Sequence, residues 1–217
     1  MSAVVLMRLI AHFNLHPESD LHPSWLPEDW PARHRRPARL NEGGRALLST
    51  LLRQRNLAGT APLYNFDDRL ARLALLDATS LRRLAFYTGL CAHLPLLKLR
   101  SELGIVLRRQ ALRFDPGAVE FALDRVPPPV ALKMDPAPLQ QRPHAAGRIV
   151  VARGHRLLLG AAATAGETAL RRVQLKLPRR VSAYALPHLR ERQKRQLDEL
   201  MLSCIVPERL PQWDWLF

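Results

Sequence analysis

Apolar residues recur at helical spacing along most of this chain, whereas a half-buried strand would show strict alternation. Leu47, Leu48, Leu51 and Leu52 follow Asn41, a residue type suited to closing the start of a helix. A turn is expected at residues 59–62. Leucines at 70, 73 and 76 predict a helix over residues 67–76. Asp77, Thr79 and Ser80 interrupt it and offer caps for the next, running from Leu81 through Leu84, Ala85 and Thr88. Pro95 marks a boundary or kink. Leu96, Leu99, Leu103, Val106 and Leu107 then line one face, with Lys98, Arg100, Glu102, Arg108 and Arg109 on others. Asp115 and Pro116 read as the N-cap and first position of a helix whose apolar stripe is Val119, Ala122, Leu123 and Val126.

Two stretches break the rhythm. Residues 14–40 carry prolines at 17, 23, 27, 31 and 37, too close together for a helix interior. Phe13, Trp25 and Trp30 punctuate this region. Tryptophans bury a large area and find an acceptor for their N–H, so the segment reads as a loop pinned onto a core, with an exposed recognition arm as the alternative. Residues 127–143 contain six further prolines, at 127, 128, 129, 136, 138 and 143, and form the best linker candidate.

Beyond it, residues 144–163 are ambiguous. Apolar triplets at 149–151 and 157–159 flank Arg153-Gly154-His155, as in a hairpin. The alanine-rich continuation favours a helix. Another helix is expected after Gly166, and a last one from Leu186 to Ile205 with Arg190, Arg192, Lys194 and Arg195 on its polar side. The expected fold is mainly α: a compact, bundle-like helical protein with a Pro/Trp-rich irregular N-terminal segment and little or no β. Residues 1–126 form the N-terminal region, 127–143 the linker or wrap, and 144–217 the C-terminal region, all packed as one domain.

Composition agrees with a folded protein. The chain has 217 residues, 47% of them apolar, enough for a real core without staples. Two cysteines, Cys91 and Cys204, are too few for a disulfide framework and read as buried thiols in a reducing compartment. No apolar run approaches the roughly 18 residues of a spanning helix. The apolar stretch at residues 3–10 is interrupted by Arg8, has no basic residue before it and no cleavage site after it, so a secretory signal is not expected and a cytoplasmic location is.

The chain carries few residue patterns that suit chemistry. His12 and His16 have the spacing of two ligands on one helix, but Pro17 argues against a helix there and no Cys or acidic cluster completes a shell. Gly-x-Ser-x-Gly is absent. Cys91 and His93 would point apart on a helix. Gly154, Gly160 and Gly166 do not have the spacing of a phosphate loop. Neither an enzyme, a cofactor nor a metal site is expected. The formal net charge of +14, nearly all from arginine, suits nucleic acid, an acidic protein or a membrane surface. Aromatics are only 6% and mostly sit among apolar neighbours, so base stacking is not expected. The alternative that survives is a small DNA-binding regulator using a helix-turn-helix at residues 69–89, with Arg82 and Arg83 near the start of its recognition helix. The densest positive patch is Arg33-His34-Arg35-Arg36 with Arg39. Arg33, Arg35, Arg36 and Arg39 are the candidate partner-binding residues, meeting an acidic protein surface.

Three groups of residues resemble a known family. Phe13-Asn14-Leu15-His16-Pro17, Leu21-His22 and Trp25-Leu26-Pro27 are similar to the opening of the SctK proteins of type III secretion systems (the YscK, PscK, OrgA and MxiK group). Residues 81–93 and Glu102-Leu103-Gly104 resemble the leucine-rich middle of that family, and Leu175-Lys176-Leu177-Pro178 an element near its C-terminal end. Residues 33–65 and 130–146 match poorly. The resemblance implies a largely helical fold without cofactor or catalysis. It also implies a place at the cytoplasmic face of the bacterial inner membrane, in the sorting platform beneath the injectisome. There the protein would link the cytoplasmic domain of the ring protein SctD to the SctQ pods. No family motif identifies partner-binding side chains.

Overall fold

The structure is a computed structural model that describes residues 3–31, 34–126 and 134–217, and among these every regular element is helical. The α-helices are α1 (Ala3–Leu15), α2 (Glu42–Arg55), α3 (Ala78–Cys91), α4 (Leu94–Lys98), α5 (Glu102–Phe114) and α6 (Ala118–Glu120). They continue as α7 (Ala137–Gln141), α8 (Ala146–Thr164), α9 (Glu167–Lys176), α10 (Arg179–Ser182), α11 (Glu191–Glu199) and α12 (Val206–Arg209). Short 3-10 helices and two π-helical stretches, Phe121–Arg125 and Leu200–Ile205, lie between them. Among the described residues, no helix is long and apolar enough to cross a membrane. The chain divides into two compact units with interleaved sequence: Met1–Leu81 with Ala162–Tyr184 and Trp215–Phe217, and Arg82–Ala161 with Ala185–Asp214.

The first unit is built on α1, α2 and α9. The Asn41 carboxamide oxygen accepts the Gly44 amide and starts α2 as the sequence predicts. The leucines at 70, 73 and 76 do not make an α-helix. They sit on and beside a five-residue 3-10 helix, Ala71–Leu75, because a strict spacing of three matches three residues per turn rather than 3.6. Leu21, Leu26, Leu40, Leu48, Leu52 and Leu175 form one buried cluster, against which Trp25, Trp30 and Leu57 pack. Contrary to the expectation from Pro17, helix α1 reaches Leu15, and the His16 amide still donates to the His12 carbonyl. Proline lacks an N–H but leaves the turn before it free to close. The outward side of α1 stays apolar: Met7 and Leu15 are each about 60% exposed, and only Phe13 of this helix is buried.

The second unit turns on the crossing of α3 and α8. The hairpin alternative for residues 144–163 is not formed: the segment runs through a short 3-10 helix, Pro143–Ala145, into the nineteen-residue α8. Gly154 lies inside that helix, where its missing side chain admits α3. A Cβ at Gly154 would sit 1.7 Å from the Ala85 carbonyl oxygen, and one at Gly89 would sit 2.2 Å from that of Val150. Beside this crossing the Asp115 carboxylate accepts from the Tyr87 hydroxyl at 2.6 Å and from Arg83 at 2.7 Å. The Arg209 guanidinium lies over the Tyr87 and Phe121 rings and donates to the Gly117 carbonyl.

Three further boundaries differ from expectation. The single helix expected along Leu96–Leu107 breaks into α4 and α5, and Arg108 donates to the Leu97 and Leu99 carbonyls left open at the break. Asp115 closes α5 rather than opening α6, whose N-cap is Gly117; its carboxylate is committed to the side chains just named and to the Gly117 amide. The last long helix begins at Glu191, not Leu186, and runs through a π-helical stretch into α12. Residues 183–190 ahead of it are not helical. Of the linker candidate at 127–143, residues 127–133 lie outside the described residues, and α7 occupies part of the rest.

Candidate docking groove

The Pro/Trp-rich segment is tied to α9 by backbone and side-chain bonds that span most of the sequence. Trp25 Nε1 donates to the Leu177 carbonyl at 2.9 Å and to that of Gln174 at 3.2 Å. The His22 amide donates to the Leu175 carbonyl at 2.9 Å, and the Arg179 amide to Ser24 Oγ at 2.8 Å. Charged side chains close the same region from beneath. Arg172 lies 4.2 Å over the Phe13 ring and donates to the Phe13 carbonyl. Lys176 is buried, donating to the Leu76 carbonyl at 2.7 Å and meeting Asp20 at 3.1 Å. Burial pulls the Arg172 guanidinium down to about 10 and lowers the Lys176 ammonium, with Asp20 acting against it. Each cation keeps a carbonyl or carboxylate partner, as burial of a charge demands.

Pinning the segment leaves a groove between it and α2. The groove measures about 610 Å³. Trp30, Leu40, Leu47 and Leu51 give it apolar walls, and Arg39, Arg55, His34 and Asp29 line its polar parts. Trp30 is held in place by its Nε1 bond to the His34 carbonyl at 2.9 Å. Along α2, Leu48 and Leu52 face the core, while Leu47, Leu51 and Arg55 form a second stripe that looks into the groove. Leu47 is 56% exposed.

The four arginines singled out from the sequence separate here. Arg39 lines the groove. Arg35 and Arg36 are exposed on the segment leading to it. Arg33 lies outside the described residues. Sequence reasoning missed Trp30, Leu47, Leu51 and Arg55 as parts of one surface. A signal was present: two leucine pairs at 47–48 and 51–52 make a wider apolar face than a single core contact needs.

Other candidates resolve into structure. His12 and His16 do come together, with ring centroids 5.1 Å apart and planes tilted by 33°, but no group of three or more His, Cys, Asp or Glu able to hold a metal occurs among the described residues. Of the pair expected as a helix-turn-helix, the first member is the 3-10 helix with Ala71, Leu73, Ala74 and Leu75 buried, and Arg83 is ion-paired to Asp115. Cys91 is buried, and burial raises its thiol.

His93 is buried as well. Its Nδ1 bonds the Gly89 carbonyl at 2.7 Å, and Nε2 accepts from Arg153 at 2.5 Å. The guanidinium donates, so Nε2 is unprotonated and Nδ1 carries the hydrogen. Burial pushes this imidazole from 6.5 down to about 4, with Arg153 adding to the effect and the Gly89 carbonyl opposing it. Its neutral form is the folded form. Its contribution is therefore complete above pH 6.5 and is lost as pH falls from 6.5 through about 4. The loss amounts to about 3 kcal/mol. Thermal unfolding followed at steps across that window is expected to show the decline, and His93→Asn to flatten it. An unchanged melting temperature over the window would contradict the assignment.

No family model, no curated protein and no solved structure matches this chain.

Proposed function

We propose that the chain is a non-enzymatic adaptor of a type III secretion sorting platform, joining the cytoplasmic domain of SctD to SctQ at the cytoplasmic face of the inner membrane. The observation that supports this reading most is the meeting of separated motifs. Phe13, Leu21-His22 and Trp25-Leu26, on which the resemblance to SctK proteins rests, pack and hydrogen-bond against α9 and the Leu175-Lys176-Leu177-Pro178 element some 150 residues later. Residues spread along the sequence thus meet in one packed unit, which supports the reading. An adaptor also needs surfaces prepared for partners, and the arginine-flanked groove is one.

The test is binding by the purified full chain. Surface plasmon resonance with SctD cytoplasmic domain and with SctQ from the same bacterium is expected to give saturable binding to each. The two are expected to bind at the same time. A chain shown folded by circular dichroism that binds neither would end the proposal.

A further inference from the structure

The groove beside α2 carries information about what fills it. Leu47, Leu51 and Arg55 stand one helical turn apart, so they present a straight track about 12 Å long. Leu47 is more than half exposed, although its neighbour Leu48 is fully buried. Trp30 faces the track from the other wall, fixed by its bond to His34. The cations bracket this apolar centre: Arg39 precedes the first turn of α2 and Arg55 is its last residue. Among the described residues, Asp29 is the sole acid on the lining. Along the sequence from 33 to 55, Arg33, Arg35, Arg36, Arg39, Arg45, Arg53 and Arg55 stand against one acid, Glu42.

An apolar centre with cationic ends is complementary to an amphipathic helix that is apolar in the middle and acidic at its ends. Such a helix seats side chains at i and i+4 in a groove, and arginine is the side chain best shaped to hold a carboxylate. Nucleic acid would call for a continuous cationic track along its phosphates, and the leucine stripe interrupts one.

We infer that the groove between the Pro/Trp-rich segment and α2 binds an amphipathic helix of an acidic protein partner, whose apolar stripe seats on Trp30, Leu47 and Leu51 and whose carboxylates pair with Arg39 and Arg55. This rests on the adaptor reading for its biological meaning, but its chemistry is tested separately.

The probe is a fluorescein-labelled helical peptide of about four turns, with leucines at helical spacing in the centre and glutamates at both ends. A twin carries lysines in place of the glutamates. Both are titrated with the full-length chain by anisotropy. The acidic peptide is expected to bind the wild type, and to bind Leu47→Glu and the Arg39→Glu/Arg55→Glu double variant at least about ten-fold more weakly. The lysine twin is expected not to bind, and salt to weaken the acidic complex. All these side chains are exposed or line the groove, so the variants should melt like the wild type; circular dichroism checks this.

No binding of the acidic peptide, equal binding to the variants, or equal binding of the lysine twin would each overturn the inference. So would light scattering that shows self-association of the wild type abolished by Leu47→Glu, because a second copy would then be the occupant. Binding of SctD and SctQ unchanged in both variants, with the peptide inactive, would leave the adaptor reading intact and remove the groove from it. Peptide binding that behaves as expected, with neither protein bound, would do the reverse.

Discussion

Gly154→Ala is expected to cost the protein at least about 3 kcal/mol, or to prevent its isolation in folded form. The added methyl would lie 1.7 Å from the Ala85 carbonyl oxygen and 2.7 Å from its carbon. Neither is the free end of a flexible side chain, so α3 and α8 must separate. Separation opens the contacts around Gly89, the other glycine of the crossing. Gly147→Ala in the same helix is the control. There the nearest atoms belong to the Gln110 side chain, at 3.3 Å and beyond, and that side chain can shift. Alanine also improves helix propensity by up to about 1 kcal/mol over glycine, so Gly147→Ala should be neutral or stabilising. Chemical denaturation of both variants measures the contrast. Equal, small effects would mean that the helices do not cross as closely as described.

Asp115→Ala is expected to destabilise by about 3 kcal/mol, and Tyr87→Phe by only about 1 kcal/mol. The difference lies in what is left behind. Removing the carboxylate strands the fully buried Tyr87 hydroxyl and deprives Arg83 of its partner. Removing the hydroxyl leaves the carboxylate with Arg83 and the Gly117 amide. The double variant should cost less than the sum of the two, since the phenylalanine no longer has a stranded group. Burial acts to raise the Asp115 carboxyl, but the Tyr87 hydroxyl, the Gly117 amide, Arg83 and Arg209 outweigh it and hold the carboxyl below its ordinary range. Burial and the bond to Asp115 push Tyr87 up to about 12. Asp115 therefore contributes fully above the ordinary carboxylate range and loses its contribution as pH falls from that range through its lowered value. The penalty of Asp115→Ala should accordingly be full at neutral pH and shrink in strong acid. Additive losses in the double variant would show that the two side chains act independently.

Helical class and several helix starts were legible from residue pattern alone, because caps and 3.6-residue periodicity are local properties. Asn41 closes α2 through its own side chain, and Asp77 does the same for α3 by accepting from the Thr79 and Ser80 amides. The Arg35, Arg36 and Arg39 patch was visible as charge density, and the structure leaves all three exposed.

What the pattern did not contain was distance between remote residues. Gly154 fitted a hairpin turn between two apolar triplets as well as the favoured helix, and only the approach of Ala85 explains why a glycine stands inside the helix there. The leucines at 47, 48, 51 and 52 looked equivalent, and packing by Leu21, Leu26 and Leu175 decided that one pair is core. The other pair became the wall of a groove because Trp30 arrives opposite it. The sequence by itself determined a helical protein with an arginine-rich, proline-broken segment near its start, since propensity, capping and charge are carried by each residue and its near neighbours. The groove, the glycine crossing and the Asp115 network were decided by tertiary structure, because each exists only where side chains far apart in sequence close to within van der Waals or hydrogen-bond range.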